Sequence, residues 1–119
     1  MRLFGAMRNY AGMGVSRFHM PGHKGVPPLP GIELAYSYDV TEIAGMDSLY
    51  EASGPILSLE KAYAGLYGSR ECILSAGGST LCVQGMLAAA LLPGDRLLCC
   101  RGVHVSAARA MALLDLDPV

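Results

Sequence analysis

Residues 54 to 119 alternate between stretches of helix length and apolar runs of strand length, with glycine or proline at nearly every junction. This punctuation constrains the fold more than any other feature of the chain. Gly54-Pro55 places proline where a first helical turn tolerates it. Ile56, Leu59, Ala62, Tyr63 and Leu66 then form one helical face, and Gly68 fits the C-terminal cap. Glu71 to Ser75 reads as a buried strand, and Ala76-Gly77-Gly78-Ser79-Thr80 as a small-residue turn. An apolar helix follows from Leu81 to Leu92, broken by Pro93-Gly94-Asp95. Arg96 to Cys100 reads as a second buried strand, Gly102 to Val105 as a loop, and Ser106 as the N-cap of a helix to Leu114. Asp117-Pro118-Val119 has the character of an approach to a third strand. Helix and strand in this alternation predict an α/β protein with a largely parallel sheet.

The first half is less regular. Leu3, Phe4, Met7, Tyr10 and Ala11 recur at helical spacing, which predicts a short helix over 2–12 ended by Gly12 and Gly14. Ser16 to Met20 reads as extended and Pro21-Gly22 as a turn. Pro27, Pro28 and Pro30 make an irregular connection, and the stretch to Ser53 reads as loop with short strand or helical turns. The expected division is an N-terminal helix and loop segment over 1–37 and an incomplete large domain over 38–119.

Charge and composition exclude several classes. Nine Lys and Arg against ten Asp and Glu leave a net charge of −1, which is no nucleic-acid or membrane-surface footprint. The longest uninterrupted apolar run, Met86 to Pro93, is far short of the roughly 20 residues of a membrane span. No apolar leader follows Met1, so the expected location is cytoplasmic. Cys72, Cys82, Cys99 and Cys100 do not form a disulfide framework, and buried free thiols are expected rather than a metal site. An apolar content of 52% suits a piece of a larger core better than a whole domain of 119 residues.

Gly77-Gly78-Ser79-Thr80 is the main candidate for chemistry. Glycines let backbone approach a ligand, and the free N–H groups of a helix start, with the helix dipole, receive anions. The Ser79 and Thr80 hydroxyls add donors. The turn is neither a Walker loop, because no lysine follows, nor a dinucleotide fingerprint, because G-x-G-x-x-G is absent. His104 falls just after the second predicted strand, at the carboxyl edge where open α/β sheets bind ligands. His19 and His23 are separated by Pro21-Gly22, which prevents a shared helical face and disfavours a metal pair. No metal is expected. With Lys24 the two histidines make a rigid cationic loop suited either to an anion or to fixing a chain crossing.

Arg17-Phe18-His19-Met20-Pro21-Gly22-His23-Lys24-Gly25 resembles the opening signature of the Orn/Lys/Arg decarboxylase family. The resemblance continues in order through Asp39-Val40-Thr41-Glu42, Gly45-Met46-Asp47-Ser48-Leu49, Gly54-Pro55-Ile56, Glu60 and Tyr67-Gly68. Gly77-Gly78-Ser79-Thr80, Pro93-Gly94-Asp95 and Arg101-Gly102-Val103-His104-Val105-Ser106 complete it. It implies part of an aspartate-aminotransferase-like large domain (fold type I), three-layer α/β/α, truncated after about two strands. It also implies pyridoxal 5'-phosphate as cofactor, a basic amino acid (lysine, arginine or ornithine) as substrate, and a homodimer. Gly78, Ser79 and Thr80 would hold the cofactor phosphate, and His104 would stack on its ring. Gly102 and Val105 depart from the family's usual asparagine and lysine. Neither Lys24 nor Lys61 matches the family's Schiff-base lysine, so no catalytic residue is expected within these residues, and the chain alone is expected to be inactive. The alternatives are an aminotransferase or aldolase of the same fold, and a non-catalytic remnant or split-enzyme subunit.

Overall fold

The computed structural model describes residues 3–119, which divide into two compact units, one ending at Leu74 and one running from Ser75 to Val119. In the first unit, α1 (Leu3–Gly12), α2 (Glu33–Tyr38) and α3 (Pro55–Tyr67) pack together, with α1 against both others. Ala6 of α1 and Ala64 of α3 are its buried apolar residues, so the helices meet on small side chains. Phe4 meets Tyr38 edge to face, ring centres 5.5 Å apart. The short helix α2 starts where the Glu33 carboxylate accepts the Gly31 N–H at 2.9 Å. α3 behaves as its punctuation predicts: Pro55 opens it, and Gly68 closes it at φ 64°, its N–H donating to the Ala64 carbonyl.

The second unit holds α4 (Gly78–Ala90), β1 (Arg96–Leu97), α5 (Val105–Leu113) and β2 (Asp117–Pro118). β1 and β2 are parallel, with Arg96 opposite Asp117 and Leu97 opposite Pro118. The ladder continues through the Cys99 N–H to the Val119 carbonyl at 3.1 Å. α5 is therefore the crossover of a β-α-β unit. It carries most of the burial here, with Ser106, Ala110 and Met111 on the helix and Leu116 beyond it. α4 packs on α5, yet none of its residues is buried.

Four expectations are corrected. Glu71 to Ser75 forms no strand and is not buried, Ile73 being 81% exposed. A strand exists only where a neighbour completes its ladder, and none pairs here. The predicted strand 96–100 is reduced to a two-residue pairing, since β2 offers so few residues opposite it. The apolar helix begins at Gly78 rather than Leu81 and ends at Ala90. The four thiols are not buried: Cys82 and Cys100 are exposed, Cys72 and Cys99 half-buried. Apolar runs bury their residues only where a second layer covers them.

Candidate functional site

The helix starts of the second unit share one end of the ladder. α4 leads into β1 through 91–95, and α5 leads into β2 through 114–116. Because the strands are parallel, both helices finish at the ladder's amino end. They pack along each other, so both begin at its carboxyl end. Gly77-Gly78-Ser79-Thr80 and His104 thus come to the same end by topology, the end where α/β sheets receive ligands.

The start of α4 is built for a close approach. No side chain caps it. The Gly77 N–H is taken by the Ser75 hydroxyl at 3.1 Å, and the N–H groups of the next residues lie in the first turn, which has no intrahelical acceptors. Gly78 stands at φ 70°, a left-handed conformation, with open space where a Cβ would be. At Gly77 the reason for glycine differs: a Cβ would sit 2.8 Å from Leu81 Cβ and closer still to Leu81 Cδ2. Ser79 and Thr80 are exposed. An uncapped helix start flanked by two hydroxyls, with no side chain on the two residues before them, fits a phosphate group in donor chemistry and in room.

The start of α5 is the opposite. His104, not Ser106, is the N-cap, at φ −63° and ψ 144°. Its Nδ1 accepts the Ser106 N–H at 3.2 Å and lies 2.9 Å from the Ser106 hydroxyl. Ser106, the expected cap, is instead buried at 3% exposure. Sequence preference ranks serine far above histidine as a cap, and the signal missed was the pull of Ala110 and Met111, which bury the same helical face.

In the first unit, the His-Met-Pro-Gly-His-Lys loop is tied to its own surroundings. The His19 Nδ1 donates to the Met20 carbonyl, and its Nε2 accepts from the Tyr10 hydroxyl at 2.6 Å. His23 Nδ1 accepts the Gly25 N–H at 3.0 Å, leaving Nε2 to donate to Asp39 at 3.1 Å. Lys24 Nζ donates to the His19 carbonyl. Arg17 reaches the Ser37 carbonyl at 2.8 Å, with its guanidinium 5.2 Å from the centre of the Tyr10 ring. Every ring nitrogen of the two histidines is engaged. Of the two roles expected for this loop, these contacts serve the chain crossing between α1 and α2.

Asp47 is the residue that sequence reasoning missed. Its carboxylate accepts N–H groups from Ser53 (2.9 Å), Gly54 (2.8 Å), Ile56 (2.9 Å) and Leu57 (3.3 Å), capping α3 from seven residues upstream of Gly54. These bonds, that of Ser53 foremost, hold its pKa down at about 2. The signal was available: Gly54 has no side chain with which to cap α3. A cleft of about 410 Å³ beside it is lined by Met20, Pro21, Asp39, Glu42, Asp47 and Ile56, among others. Its carboxylates already have partners: Asp39 has His23, Asp47 its amides, and Glu42 the Thr41 hydroxyl at 2.5 Å, which lowers the Glu42 pKa. Among the described residues no cluster of His, Cys, Asp and Glu could hold a metal, and no helix is long and apolar enough to cross a membrane.

Two helices, one opening without a side-chain cap and one crossing between paired parallel strands, define an α/β protein. The chain belongs to the Orn/Lys/Arg decarboxylase family, whose major-domain model matches residues 2–119. It is similar to the uncharacterized protein YaaO of Bacillus subtilis (strain 168), with 31% identity over 122 residues, covering 98% of this chain and 25% of the relative. Arginine decarboxylase of Bacillus cereus is 28% identical over 123 residues, covering 98% and 27% respectively. Arginine decarboxylase of Bacillus subtilis (strain 168) is 28% identical over 124 residues, covering 98% and 25%. The chain spans about a quarter of the length of these relatives.

Proposed function

We propose that these residues form the cofactor-phosphate end of a pyridoxal-phosphate-dependent decarboxylase acting on a basic amino acid. The observation that carries this reading is the uncapped start of α4, with Gly78 left-handed and Ser79 and Thr80 exposed, at the same end of the ladder as His104. Bound there, pyridoxal phosphate supplies the electron sink for the pair left behind when carbon dioxide departs. The first-turn N–H groups of α4 and the two hydroxyls hold the phosphate against the positive end of the helix. His104 offers an aromatic face, already fixed by its own cap, for the ring to stack on. Two relatives named arginine decarboxylase favour arginine within the basic class.

We place the chain in an aspartate-aminotransferase-like large domain, with the Schiff-base lysine outside these residues and the whole protein a cytoplasmic homodimer. The apolar helix α4, with no buried residue, supports a further layer over it, as does the fourfold greater length of the relatives. The test is Ser79→Ala with Thr80→Ala in the full-length gene product. Two hydrogen bonds to a charged group are worth on the order of 3 kcal/mol, so cofactor affinity should fall roughly 100-fold. Unchanged affinity, measured by absorbance titration, would remove the assignment.

A further inference from the structure

The start of α5 assigns a task to Ser106 that follows from geometry. A buried serine at the second position of a helix ordinarily turns its hydroxyl back on its own backbone. Here the hydroxyl and the backbone N–H of Ser106 meet a single atom, His104 Nδ1, at 2.9 and 3.2 Å. An imidazole nitrogen that accepts carries a lone pair and no proton. The ring proton must then sit on Nε2. Ser106 is 3% exposed, so little water reaches its hydroxyl to compete with His104 Nδ1.

We infer that Ser106 is a positioning residue: it locks His104 as the Nε2–H tautomer and fixes the plane of its ring at the start of α5. The inference rests on the proposed function only for what that ring does. With Nδ1 held by Ser106, His104 presents an aromatic face in a fixed plane and one donor, Nε2–H. A freely turning histidine would occupy both tautomers and spend part of its time in orientations useless for stacking.

The test reads the ring directly. The full-length gene product, labelled with ¹⁵N-histidine, is compared with Ser106→Ala and Ser106→Thr, His104 being assigned by its loss in His104→Asn. In the parent protein Nδ1 should show an acceptor-type nitrogen shift and Nε2 a protonated one. Ser106→Ala removes the shorter of the two bonds and keeps the longer N–H contact, so the fold should survive while the Nδ1-protonated tautomer gains population and the two shifts move part of the way toward each other. Pyridoxal-phosphate affinity should fall about fivefold in that variant, and Ser106→Thr should keep the parent shifts and affinity. A protonated Nδ1 in the parent, or Ala shifts equal to the parent's, would overturn the inference whatever the cofactor does. Correct shifts in a protein that fails to bind pyridoxal phosphate would instead overturn the proposed function and leave the tautomer lock standing.

Discussion

Gly77 and Gly78 are adjacent, but the structure requires glycine at each for a different reason, and the two reasons separate by mutation. At Gly78 the space around a Cβ is open and only the φ of 70° is at issue. Alanine there should cost about 1–2 kcal/mol, the usual penalty of a left-handed residue, and asparagine clearly less. At Gly77 the φ of −86° suits any residue, and the obstacle is Leu81. Leu81 is 51% exposed, so its Cδ2 can rotate aside at little cost. Its Cβ, 2.8 Å from where the new methyl would lie, cannot move without the first turn of α4. Gly77→Ala should therefore cost about 1–3 kcal/mol, the range for overpacking, and displace the first-turn N–H groups of α4. Adding Leu81→Ala should not restore it, because the offending Cβ remains. Adding Leu81→Gly should restore cofactor affinity, though the glycine itself costs about 1 kcal/mol of helix. Thermal unfolding and cofactor titration of the full-length gene product read both effects. Rescue by Leu81→Ala equal to that by Leu81→Gly, or asparagine no better than alanine at 78, would refute the reasoning.

Two further outcomes are expected. The Asp47 pKa is lowered from 3.8 to about 2 in the folded chain, so its support for α3 is full above pH 3.8 and lost as pH falls toward 2. Hydrogen-exchange protection of the Ile56 and Leu57 amides should fall over that window and be absent at neutral pH in Asp47→Ala; protection independent of both would refute the cap. Among the described residues only Ala6, Ala64, Ser106, Ala110, Met111 and Leu116 are buried, while Leu66, Ile73, Leu92 and Leu98 are each more than 70% exposed. The isolated 119-residue chain should therefore bind a hydrophobic dye and lack a sharp melting transition. A cooperative melt from a dye-silent monomer would contradict it.

What was legible in the sequence is what local backbone chemistry decides. Pro55 and Gly68 bracket α3 because ring closure and a left-handed cap act within a residue or two. Gly12 and the Leu3, Phe4, Met7 spacing give α1 in the same way. The strand expected at Glu71 to Ser75 was not decidable locally, since its β-branched and apolar residues state a preference that only a neighbouring ladder realises. α2 is too short to show periodicity and depends on one carboxylate reaching back to Gly31. Within the candidate site, the glycines were legible as the turn that opens α4, and His104 as part of the loop that follows β1. The exchange of roles between His104 and Ser106 was not, because burial of the α5 face, rather than cap preference, decides which residue turns outward.

The two helix starts are therefore prepared to different degrees, and this bears on how a phosphate would be held. α5 has its cap in place and three of its residues buried, so His104 waits in a fixed position. α4 has neither a side-chain cap nor a buried residue. Its first turn begins on a left-handed glycine and is anchored before that only by the Gly77 N–H to Ser75. A helix start with orphan donors is stabilised by any group that supplies acceptors, and a phosphate supplies several with full charge. The anion would thus complete α4 as Asp47 completes α3, with the difference that Asp47 belongs to the chain and the phosphate does not. Binding at α4 and ordering of its first turn are then one equilibrium, so part of the interaction energy goes into ordering Gly77 to Thr80 rather than into affinity.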